Sequence, residues 1–80
     1  MDIEFGIRVV NKDGNGVEGA RVFVSYLFTH QEDYTDNDGW VHFTRGATVY
    51  GGVRANIFVN GEKVGNQIWV ESGDTFSFSV

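Results

Sequence analysis

Two histidines, His30 and His42, are the side chains of this sequence that titrate near neutral pH, and either could serve as a general base or a metal ligand. Neither has support. The chain has no cysteine, and no Ser or Asp stands at a spacing that would build a nucleophile–base pair with them. His42 sits between Val41 and Phe43, so an alternation that turns those two inward sends His42 to solvent. The chain reads as a non-enzyme, with no catalytic residue and no cofactor.

The acidic turns are the second place where chemistry could reside. Asn11, Asp13, Asn15 and Gly16 match the first half of an EF-hand loop, but the twelfth position, which needs an acid, is Val22. Strand alternation would send three loops to one end of a sandwich. Asp13, Asn15, Asp36, Asp38, Asn60 and Glu62 could there hold calcium, against the plainer reading that turns favour Asp and Asn.

Positioning such residues is a task for strands. Eighty residues allow one domain, 1–80, near the small end for unaided folding. With no cysteine, packing and strand pairing must supply the stability, and seven Phe, two Trp and three Tyr make this plausible. Apolar residues recur at spacing two, in runs over 3–10, 20–28, 40–44, 53–59, 63–70 and 75–80, and 31–35 reads as a weaker strand. Asp13-Gly14, Asn15-Gly16, Asp36 to Gly39, Asn60-Gly61 and Ser72-Gly73 separate them as turns, and 45–52 forms a longer glycine-bounded loop. The inward sets are Ile3, Phe5, Ile7 and Val9; Val22, Val24, Tyr26 and Phe28; Val41 and Phe43; Val53, Ala55, Ile57 and Val59; Ile68 and Val70; and Phe76, Phe78 and Val80. The polar run 31–35 suits a sheet edge. Seven short strands so spaced predict an all-β sandwich of two sheets.

Two stretches resemble a known family. Val9 to Val22 (Val9-Val10-Asn11-Lys12-Asp13-Gly14-Asn15-Gly16-Val17-Glu18-Gly19-Ala20-Arg21-Val22) is similar to the opening signature of carboxypeptidase-regulatory-like domains. Thr35-Asp36-Asn37-Asp38-Gly39-Trp40-Val41-His42-Phe43 resembles their second signature. The likeness spans nearly the whole chain and implies a Greek-key sandwich, transthyretin-like within the broader Ig-like architecture. Gly16 stands where the family usually has proline, which implies a looser first turn. The 5-hydroxyisourate hydrolases of this fold end in a Tyr-Arg-Gly-Ser-like tail, which Phe78-Ser79-Val80 does not match. Lysine–asparagine cross-linking, as in pilin-type relatives, is not expected either: Lys12 and Lys63 lie in or beside turns, and no asparagine follows Asn66.

Charge and surface narrow the partners. Six basic against eleven acidic residues give a formal net charge of −5, which argues against nucleic acid and against anionic membranes. No apolar run reaches membrane-spanning length, so a soluble domain is expected, with no membrane insertion. The compartment stays open, and a domain cut from a larger protein would be extracytoplasmic or at the cell surface. If Val22, Ile57 and Ile68 face inward, then Phe23, Leu27, Phe58 and Trp69 face outward. The sheet order of the resembled family would gather these four into one contact surface. Trp40 and Tyr50 are secondary candidates. The expected function is a binding or spacer module working through protein–protein contact, presenting either this aromatic face or the 45–52 loop, with a neighbouring domain or a weak homodimer as partner. Alternatives are a carbohydrate-binding accessory module, with a tryptophan stacked on sugar, and a small self-standing acidic regulator or inhibitor.

Overall fold

A computed structural model describes residues 2–46 and 52–80, and no helix occurs among them. The strands are β1 (Asp2–Val10), β2 (Arg21–Ser25), β3 (His30–Tyr34), β4 (Trp40–Gly46), β5 (Gly52–Val59), β6 (Glu62–Glu71) and β7 (Thr75–Ser79). They form two sheets, ordered β4-β1-β7 and β3-β2-β5-β6. Every pairing is antiparallel except β1 with β7, which run parallel.

The expected alternation builds the core between the sheets. Ile3, Phe5, Ile7 and Val9 come from one side, and Val22, Val24, Ile57, Val59 and Val70 from the other, all with almost no exposed surface. β3 is an edge strand, as its polar sequence requires.

Two inward assignments fail at strand ends. The amide of Tyr26 donates to the Thr29 carbonyl (2.8 Å), so the chain reverses after Ser25. Alternation stops there, and Phe28 is 93% exposed instead of joining Val22 and Val24. Val80 lies beyond β7 and is exposed. Phe76 and Phe78 face the core but are only half-buried, because among the described residues no strand lies beyond β7 to cover them. β6 also departs from a plain hairpin strand. Ala55 pairs with Ile68 but Ile57 pairs with Gly65, a bulge that places Gln67 at φ 50°.

Gly16 tightens the first loop instead of loosening it. It bridges Val10, and a Cβ built there would sit 2.0 Å from the Asp38 carbonyl oxygen, so only glycine allows the approach. The Val9–Val22 and Thr35–Phe43 stretches thereby meet in space. The Val9 amide donates to Gly39 O (2.8 Å), and the Gly19 amide donates to Thr35 O (3.0 Å). The buried Thr35 hydroxyl donates to Val17 O and accepts the Ala20 amide. The two stretches are halves of one clasp that ties the sheets together at one end.

Candidate functional site

The four outward candidates share the outer face of the β3-β2-β5-β6 sheet or its margin, in two pairs. Phe23 and Phe58 are register partners on β2 and β5, with rings 5.9 Å apart and edge-on. Both are half-buried, because His30 stacks on Phe23 (4.9 Å) and the Lys63 ammonium sits 5.7 Å from the Phe58 ring. Leu27 and Trp69 lie further along. Ser25 and Asn56, register partners themselves, occupy the row between the pairs. Leu27 is 84% exposed at the β2–β3 turn and Trp69 42% exposed on β6.

Leu27 and Trp69 border a groove of about 720 Å³, lined also by Tyr26, Phe28, Arg45, Arg54, Asn56 and Gln67. Its floor is built by glycine. Gly52 stands under the Trp69 indole, where a Cβ would come 2.6 Å from Cε2, so the indole lies against bare backbone. Trp69 Nε1–H donates to Glu71 Oε2 (3.0 Å), and the Arg54 guanidinium lies 5.7 Å from the indole centre. The β6 bulge is held from this groove. The Gln67 amide donates to Asn56 Oδ1 (2.7 Å), and Arg54 donates to Gln67 O (3.0 Å). Arg45 stacks over the Tyr26 ring at 4.1 Å. Burial pushes the Tyr26 phenol up to about 12, partly opposed by the Arg45 charge, and its hydroxyl donates to Gln31 Oε1 (2.6 Å). Among the described residues the charged lining side chains are Arg45 and Arg54, with Glu71 at the indole's margin, so this groove is cationic in a chain of net charge −5.

Sequence reasoning found Leu27 and Trp69 and offered the 45–52 loop, which begins at Arg45, but missed Phe28, Arg54, Asn56 and Gln67. Phe28 was hidden by an alternation continued too far. Asn56 is the one uncharged polar side chain of β5, and that was the available signal. Tyr50, with the rest of 47–51, lies outside the described residues.

The remaining candidates are accounted for by local structure. Trp40 stacks on His42 (5.8 Å, 13° between planes), and the pair covers Gly6 of β1. His42 also borders a depression of about 320 Å³ with Glu4, Ser72 and Asp74. Among the described residues, no three His, Asp or Glu side chains group so as to hold a metal ion. Two side-chain oxygens of the polar turns are used internally. Asn11 Oδ1 accepts the amides of Asp13 and Asn15, and Asp36 Oδ1 accepts those of Trp40 and Asp38. These amide bonds, Trp40 first, hold the Asp36 carboxyl below its ordinary range. No helix among the described residues is long and apolar enough to cross a membrane.

No protein-family model matches this chain, and no curated protein does.

Proposed function

We propose that this chain is a non-catalytic binding module that makes protein–protein contact through the Leu27–Trp69 groove, on a Greek-key sandwich of the transthyretin-like type. The strand orders β4-β1-β7 and β3-β2-β5-β6, with β1 and β7 parallel, support the finer fold assignment. One observation carries the functional reading. Leu27 and Phe28 stand almost fully exposed at the lip of a cationic groove backed by Trp69. Two large apolar side chains on a tight turn add nothing to this domain's own core, and a concentrated apolar patch marks a contact surface. Arg45 and Arg54 beside it select a partner segment that is apolar and acidic together.

Trp69 itself favours a second reading. An indole held against glycine backbone, with Arg54, Asn56 and Gln67 beside it, is also a stacking platform for a sugar ring.

One experiment separates the two. Trp40→Phe leaves Trp69 as the sole tryptophan, so its emission reports the groove. Peptides selected from a displayed library against the wild type, and counter-selected on Leu27→Ser/Phe28→Ser, should carry apolar and acidic residues. They should shift Trp69 emission and lose binding at least about tenfold on the double-serine variant. Oligosaccharides that shift the emission while peptides do not would establish the second reading. Indifference to both classes would remove the groove as a site.

A further inference from the structure

The two sheets present four edges, and three of them are guarded. β3 carries Glu32 and Asp33. β6 carries Glu62, Lys63 and Glu71 and is interrupted by its bulge. On β4, Arg45 supplies a charge and the Thr44 carbonyl is taken by Gln31 Nε2 (2.9 Å). Charge, bulges and capped carbonyls are the devices that stop one edge from pairing with another. β7 has none of them: Thr75-Phe76-Ser77-Phe78-Ser79 is uncharged, free of proline and unbulged.

The pairing of β7 with β1 also decides which backbone groups remain available. Asp74 O accepts the Gly6 amide, and the Val80 amide donates to Val10 O. In a parallel ladder with this register, even-numbered residues of β7 bond to β1. Thr75, Ser77 and Ser79 therefore direct both N–H and C=O to the open side, where no backbone partner meets them among the described residues.

We propose that the β7 edge is a dimerisation site whose occupant is β7 of a second copy, antiparallel across a two-fold axis at Ser77. The sequence of the strand argues for a second copy over a foreign strand, because it is nearly the same read in either direction. With Ser77 opposite Ser77, Thr75 falls opposite Ser79 and Phe76 opposite Phe78. All outward amides and carbonyls are then matched, hydroxyl side chains meet on the outer face, and phenylalanines meet on the core face. The half-burial of Phe76 and Phe78 is what such a joint would complete. The two β4-β1-β7 sheets would become one continuous sheet. Each copy carries a net charge of −5, so salt should strengthen the association by screening.

The test uses the whole chain, with amide hydrogen exchange and sedimentation from tens of micromolar to millimolar concentration. Protection of the Thr75, Ser77 and Ser79 amides should rise with concentration, in step with the mass. Ser77→Pro deletes an outward N–H and none bonded to β1, so the fold should survive while the dimer is lost. Should that variant fail to fold, Ser77→Lys places two like charges at the axis and should weaken the dimer at least about tenfold. Leu27→Ser/Phe28→Ser should leave it unchanged, which separates this edge from the groove. Three results would overturn the proposal: exchange at these amides that ignores concentration, protection that persists at high dilution, or association undiminished in a folded Ser77 variant.

Discussion

Tyr26 shows how one side chain can link core, groove and titration. Its ring is buried, its hydroxyl reaches Gln31, and Arg45 covers its face. Burial disfavours the phenolate, so the folded state holds the proton to about 12 while the unfolded chain releases it near 10.0. A group whose acid form is favoured by folding contributes fully below the unfolded value and loses that contribution as pH rises. Urea denaturation should therefore show stability falling between roughly pH 10 and 12 beyond what general alkaline charging causes. Tyr26→Phe should start less stable, having lost the Gln31 bond, yet show a flatter alkaline slope. An unchanged slope would mean that the phenol ionises freely in the folded protein.

At the scale of elements, β5 is the best test of the packing. It lies between β2 and β6, and its inward residues Ala55, Ile57 and Val59 are fully buried. Ile57→Ala should cost about 2–5 kcal/mol in chemical denaturation, most of the margin of so small a domain. A cost below about half a kcal/mol would place Ile57 on the wrong face, since a one-residue slip inverts a strand. Most of this was legible from spacing alone: Ile3, Phe5, Ile7 and Val9 on β1, and Val22 and Val24 on β2. What spacing could not show was where alternation ends. Tyr26-Leu27-Phe28 continues the pattern in letters while a turn bond reverses the chain, so Phe28 passes from presumed core to the lip of the groove. The β6 bulge had a signal in Gly65, an isolated glycine inside the strand run, but nothing in the letters put the positive φ on Gln67. Asn56 and Arg54, residues of another strand, hold it.

For the whole molecule, the loops at the clasped end matter most. Of the side-chain oxygens that could have bound a cation, Asp36 Oδ1 accepts two backbone amides and Asn60 Oδ1 accepts that of Arg21, and Gly16 and Gly39 let the two loops touch. Calcium titrated into the protein should move Tm by no more than about 1–2 °C, because a stabilising ion must find preformed ligands in the native state. A larger rise, lost in Asp38→Asn, would show that the loops rearrange to bind it. The sequence by itself determined the strand class, the core faces and the turn positions. Side-chain period two and the φ preferences of glycine are local properties that need no partner to be read. It also contained both loop stretches, but only the tertiary structure made them one clasp. Only the tertiary structure divided Phe23 and Phe58 from Leu27 and Trp69, opened a cationic groove beside the second pair, and left β7 as the unguarded edge. Those features depend on which strands become neighbours. Neighbourhood is set by non-local pairing across the two sheets, which no window along the chain contains.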